Sequence, residues 1–347
     1  MSIFSGHVCY VIILALLESV KPRIVGVAGR KYGLSDSSFG ILGQLCQGEK
    51  IVQGRSYVDE NINISNCFFA RTSQYSGYGG VIYVKVGSIS IVISDSMFYN
   101  CVCSEQGGAI FFISTVSSLR KVCANRCSAS IYYNFACLQA SQMNHVEYLS
   151  VSQCSPTAFG RYGFLLYTGN QRLEKTNSSM NNAILVSGIY ISSPLSFESS
   201  HCTFSNNKVT DSRCIYFNSN TGTTLFANII HNNSPNEYGV IYLNGNGTPK
   251  MIYCIFQNNH NILFCVLTGS LDISHSFIDH LVSSFTNSNS ITTVNNNTFT
   301  KIPTYRIQFF KSHYCNAELP IQLNSHTALS SQIQKRTMIE LVLLIYV

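Results

Sequence analysis

Short apolar runs recur along this chain at near-regular intervals, separated by Gly, Asn and Ser. "YGGVIYV" begins at Tyr78, "QGGAIFF" at Gln106, "RYGFLLY" at Arg161, "SRCIYFN" at Ser212 and "YGVIYLN" at Tyr238. "YNFACLQ" from Tyr133 and "NNAILVS" from Asn181 are looser copies. Runs this short and this rich in Val, Ile, Phe and Tyr predict strands. The glycines before them would interrupt a helix. Aligned on the residue before the apolar run, one slot holds Gly80, Gly108, Phe135, Gly163, Asn182, Arg213 and Gly239. A second element keeps the same phase: "FSNN" from Phe204, "IHNN" from Ile230 and "FQNN" from Phe256, each 26 residues after the last.

A repeat of this length, built from strands alone, predicts an all-β fold. The expected architecture is a right-handed parallel β-helix of about nine or ten coils over residues 61–310. One coil cannot bury its own inward side chains, so neighbouring coils stack and bury each other's. Ile110 and Ile241 are expected to point inward at equivalent positions. Each coil must turn at its corners, where φ > 0 favours Gly and then Asn. Corner positions are therefore expected at Gly79, Gly80, Gly107, Gly108, Gly163 and Gly239. The pairs Asn206-Asn207, Asn232-Asn233 and Asn258-Asn259 are expected to stack at another corner, their amides bonded from coil to coil at the strand spacing.

The elements "GGAI" at Gly107 to Ile110 and Phe-x-x-Asn at Phe204–Asn207 and Phe256–Asn259 resemble the repeats of the polymorphic outer membrane protein family. They are also similar to repeats in large families of surface proteins of parasitic protists. The resemblance covers roughly residues 60–300. It implies a right-handed parallel β-helix exposed on a cell surface.

Composition changes the picture in three ways. Charged residues are only 11% of the chain and the net charge of +6 is thinly spread, with no basic stripe. Nucleic acid is therefore not an expected partner. The 14 cysteines form no Cys-x-x-Cys, so no metal or cofactor site is expected. Cys67, Cys202 and Cys254 each lie two residues before Phe69, Phe204 and Phe256, with Cys127 and Cys154 near the same phase. They read as an inward stack of mostly packed thiols. The 16 acidic residues show no paired carboxylates repeating in phase, the feature that glycoside cleavage needs. Glu174 and Glu198 come closest, 24 apart.

At the ends, "VCYVIILALL" from Val8 fits the core of a signal peptide, so residues 1–28 are expected to form a leader or a hydrophobic N-terminal segment and 29–60 an N-terminal cap. Residues 311–347 form a tail whose last stretch, Met338 to Val347, is apolar but short for a bilayer span. It leaves membrane attachment open. Asn-x-Ser/Thr sequons at Asn63, Asn177, Asn232, Asn246 and Asn296 are candidate glycosylation sites. Together these features predict a non-catalytic, secreted or cell-surface scaffold for adhesion or display, with host-surface or glycan ligands. The runners-up are a carbohydrate-active β-helix enzyme and a non-functional gene fragment, the latter on the irregular spacing across residues 140–200 and the abrupt C-terminus.

Overall fold

The computed structural model describes residues 61–280 apart from short gaps, together with strands at 41–42, 55–57, 285–286 and 291–294. The described residues hold no α-helix, and all their strand pairings are parallel. The chain winds as a β-solenoid of about 8 turns, with partial rungs at either end. The expected signal segment, the tail after residue 310 and Asn296 lie outside the described residues.

Each rung contributes one strand to each of three sheets. One rung is Val186–Ser192, Ser196–Ser200 and Thr203–Ser205; the next is Arg213–Asn218, Thr223–Leu225 and Asn228–Ile230. We call these sheets 1, 2 and 3 in chain order. Two long strands, Ile110–Asn125 and Ala136–Ser152, run through all three sheets in turn, bending at Lys121 (φ 52°) and Tyr148 (φ 54°). Ile41–Leu42 and Arg55–Tyr57, in the stretch expected as a cap, already pair with the stack.

The register names the core. In sheet 1 one inward slot holds Ile82, Ile110, Ala136, Phe164, Ile189, Ile215, Ile241, Phe264 and Phe285. Ile110 and Ile241 are fully buried in it. In sheet 3 the inward slot holds Phe69, Phe98, Ala124, Val151, Ser178, Phe204, Ile229, Phe256 and Ile278. Burying an Ile, Leu or Phe is worth about 1.5–3 kcal/mol, and every such side chain is covered by the rungs above and below.

This register corrects the sequence alignment twice. "NNAILVS" is no sheet 1 strand: Asn181 sits at the corner after sheet 3, and the strand comes later, at Val186–Ser192. With Ile189 in the slot, the coils between 140 and 200 are regular. The apparent raggedness comes from a misplaced strand. The Asn pairs are also out of phase by one. Asn207, Asn232 and Asn259 are equivalent, because Phe204 pairs with Ile229 and Ile229 with Phe256. Asn206 and Asn258 are therefore matched by His231, and all three take positive φ. Asn233 lies one place further on, bridging to Lys208 and His260.

The glycine pairs divide the work. Gly79 (φ 63°) and Gly107 (φ 70°) make the left-handed corner, as does Gly239 (φ 72°). The second glycine does something else. Gly80, Gly108 and Gly163 do not take positive φ, but a Cβ on each would overlap a carbonyl of the neighbouring rung, at Gly108, Asn134 and Ser187 respectively. They are needed for close approach rather than for the turn.

Candidate functional site: an outer aromatic face

Sheet 1 turns a second row of side chains away from the core. That outward slot holds Tyr83, Phe111, Cys137, Leu165, Tyr190, Tyr216, Tyr242 and Cys265. A parallel row precedes it at the turn into the sheet, where Tyr78 bridges to Gln106 and Gln106 to Tyr132. The two rows interlock. Phe111, Cys137 and Leu165 are buried beneath Tyr78, Tyr83, Tyr133, Tyr167 and Tyr190. Tyr162 lies 5.6 Å from Tyr133 and 5.2 Å from Tyr190; Tyr190 stacks on Tyr216 at 4.5 Å and 9°; Tyr216 meets Tyr242 edge-on at 5.2 Å. Rings placed one per rung meet at these distances because the strand spacing is about 4.8 Å.

Stacking sets what the face offers. Rings that stack along the solenoid axis spend their faces on one another and turn edges and hydroxyls outward. Burial, the largest cause, lifts the phenols of Tyr133, Tyr162, Tyr190 and Tyr242 above the ordinary tyrosine range, so their O–H groups stay protonated as donors. Two cations sit in the wall. The Arg213 guanidinium carbon lies 4.4, 5.3 and 4.1 Å from the centroids of Tyr216, Tyr238 and Tyr242. Arg161 lies 5.1 Å from the Tyr132 ring and donates to its hydroxyl at 3.2 Å. Neither arginine forms an ion pair among the described residues. The result is a rigid surface of aromatic edges and fixed donors.

The remaining candidates fall elsewhere. Glu174 pairs across rungs with Ser200, and Glu198 with Arg172, so the two carboxylates share no slot. Glu174 is also salt-bridged to Arg172, and Glu147 lies 3.6 Å from both Arg120 and Lys175. No group of three or more His, Cys, Asp or Glu able to hold a metal ion occurs among the described residues.

Cys67, Cys202 and Cys254 do point inward, but into different coils that are not neighbours, with Ala227 between the last two. Cys127 and Cys154 belong with Cys101 to a separate corner, which corrects their placement in the same stack. Among the described residues ten cysteines are buried and carry no disulfide, and Cys123 is disulfide-bonded.

Two of the sequons are corrected by burial. Asn232 is wholly enclosed, its amide bonded to Asn259 and to the Phe204 carbonyl, and Asn177 is 1% exposed. A glycan on either is incompatible with this packing. Asn63 and Asn246 are exposed.

Sequence reasoning missed the aromatic face. Its signal was present: Tyr190, Tyr216 and Tyr242 stand 26 apart, visible once the strand at Val186–Ser192 is placed. Comparison of the chain with family models, with curated proteins and with solved structures finds no match.

Proposed function

We propose that this chain is a non-catalytic β-solenoid scaffold, secreted or held at a cell surface, that uses its outer tyrosine face to bind extended ligands such as host-surface glycans. The observation that carries this reading is the unbroken run of ring contacts through Tyr190, Tyr216 and Tyr242, stacked at the first step and edge-on at the second, with Arg213 among them. It repeats one ring per rung, with Tyr190 and Tyr216 partly exposed and Tyr242 at 7%, a spacing suited to a polymer with a similar repeat. The low charge, the Asn- and Ser-rich composition and the resemblance to polymorphic outer membrane protein repeats support the surface location. The carboxylates are neutralised by bases or stand opposite non-acids, which does not favour the enzyme reading.

The test is a glycan panel. Purified protein should retain ligand without releasing reducing ends. Tyr190→Phe with Tyr216→Phe keeps the ring stack and removes two hydroxyls. It should weaken binding about tenfold, the cost of roughly one net hydrogen bond, and leave the melting temperature in place. Turnover of a glycan that disappears in Glu174→Gln or Glu198→Gln would replace the scaffold with an enzyme.

A further inference from the structure

Arginines are matched differently on two faces of this solenoid. On sheet 2, Arg120 lies 3.6 Å from Glu147 and Arg172 is salt-bridged to Glu174. On sheet 1, Arg161 and Arg213 stand among tyrosines, and neither has a carboxylate partner among the described residues. Arg213 is half-buried against Tyr216, Tyr238 and Tyr242, and its Nε is enclosed without a hydrogen-bond partner. Asp211, two residues before it, and Glu237, next to Tyr238, are both exposed, and neither pairs with it. A cation drawn partly out of water without an anion is costly. The ring faces offset part of that cost but leave the charge uncompensated. A guanidinium held this way presents a planar fork of donors, the shape that takes a carboxylate.

Three tracks run side by side along this part of sheet 1. Arg213 stands at the start of its strand, Tyr190, Tyr216 and Tyr242 occupy the middle, and Asn218, Asn244 and Thr268 stand at the end. The last track is neutral and partly exposed. Thr268 donates to the Asn244 side-chain oxygen at 3.1 Å, and Asn244 donates to the Tyr216 hydroxyl at 3.4 Å. Arg161 precedes Tyr162, which bridges to Val186, and Val186 pairs with Arg213. The two arginines are thus two rungs apart, about 10 Å at the strand spacing. Arg161 leans over Tyr132, toward the N-terminal end, and Arg213 over Tyr242, toward the C-terminal end, so their charges stand further apart still. Cations this sparse do not suit a densely charged polyanion, which calls for a basic stripe. Nucleobases need open ring faces, and these rings cover one another. A hydroxyl-rich polymer with widely spaced carboxylates fits both constraints.

We infer that the extended ligand of the tyrosine face is an acidic polysaccharide lying along the solenoid axis. Its carboxylates are taken by Arg213 and Arg161, and its hydroxyls bond to Asn218, Asn244 and Thr268. This rests on the reading of the tyrosine face as the binding surface and adds the charge of what is bound. Arg213 is the group that separates an acidic sugar chain from a neutral one.

The probes are hyaluronate, which carries one carboxylate per disaccharide, and the same polymer with its carboxylates methyl-esterified. The full chain should bind the acid about tenfold or more tightly than the ester, the worth of one charge-assisted hydrogen bond. Arg213→Gln should close most of that gap. Arg213→Lys should restore only part of it, because an ammonium has no planar fork. Arg161→Gln, at an exposed residue, should close a smaller part and serves as the readout if Arg213→Gln does not fold. Equal affinity of the wild-type chain for acid and ester would overturn the inference and leave the tyrosine face as a binder of neutral glycans. A gap that survives in both arginine variants would overturn it as well, as would tighter binding of poly(dT) than of hyaluronate. Binding of no glycan at all would overturn it together with the reading it rests on.

Discussion

The same inside corner is filled in two ways along this solenoid. In the N-terminal rungs the slot after sheet 3 holds Thr72, Cys101, Cys127 and Cys154; in the C-terminal rungs it holds Asn181, Asn207, Asn232 and Asn259. All four Asn amides, and of the first set the Cys101 and Cys127 thiols, donate to a carbonyl in the preceding rung's sheet 3. The thiols do so weakly, as in Cys127 to Phe98 at 3.6 Å, and the amides strongly, as in Asn232 to Phe204 at 2.9 Å. Only the amides do more. Each Asn side-chain oxygen accepts the backbone N–H of the rung before it: Asn181 from Cys154, Asn207 from Asn181, Asn232 from Asn207 and Asn259 from Asn232, all at 2.9–3.1 Å. A thiol is a poor acceptor and cannot repeat this. The corner geometry is therefore fixed by the stack. The residue chemistry decides how much each rung is bonded to its neighbour.

Breaking the comparison should be unequal. Asn232→Ala orphans the Asn207 N–H and the Phe204 carbonyl, two buried groups that each cost about 1–3 kcal/mol when unpaired. Cys127→Ala removes one atom from a packed slot, at about 1 kcal/mol. Thermal melts of the two variants should show a several-fold larger loss for Asn232→Ala. Equal losses would mean that the amide ladder is only packing.

A smaller effect separates the two halves by pH. Burial raises the Cys101 and Cys127 thiols well above 9.0; Cys127 adds to the rise at Cys101, whereas at Cys127 the contact with Cys101 opposes it and that with Cys154 adds to it. Folding holds these protons, and the unfolded chain releases them above its ordinary value near 9.0. The linked stability is thus complete below about pH 9 and is lost as pH rises beyond it. The buried tyrosines of the outer face add to the same limb from their ordinary value of 10.0 upward. Melting temperature should be level at about pH 6–8 and fall above 9, and Cys127→Ala should make the fall shallower. The Asn corner carries no titrating group, so Asn207→Ala should lower the whole curve without changing its alkaline slope.

The sequence made the coil legible through repetition. The Gly pairs, the Phe-x-x-Asn elements and the 26-residue phase all report positions where backbone geometry admits few residue types. Less was legible where the constraint is tolerant. Lys175, His201, Phe226, Tyr253 and His275 all take positive φ at the corner between sheets 2 and 3, yet none is Gly or Asn. There the stack over-determines the backbone, and outward ring stacking, as between Phe226 and Tyr253 at 5.1 Å, offsets part of a strain of about 1–2 kcal/mol per residue. The off-by-one phase of Asn232 has the same origin. "IHNN" matches its neighbours by letters, but the His, not an Asn, makes the turn. The candidate face escaped notice because one misassigned strand, "NNAILVS", removed Tyr190 from its column.

The central claim is the rung register, on which the core, the ladders and the outer face all depend. It is tested most directly by disulfide trapping on the open face of sheet 2. Arg172 and Glu198 are partners in adjacent rungs. Their Cα atoms stand about 4.8 Å apart, inside the range a disulfide can bridge. Arg172→Cys with Glu198→Cys should cross-link under mild oxidation within one chain, while Arg172→Cys with Ser200→Cys, displaced two residues along the strand, should stay reduced. Closure of the displaced pair with failure of the aligned one would contradict the register.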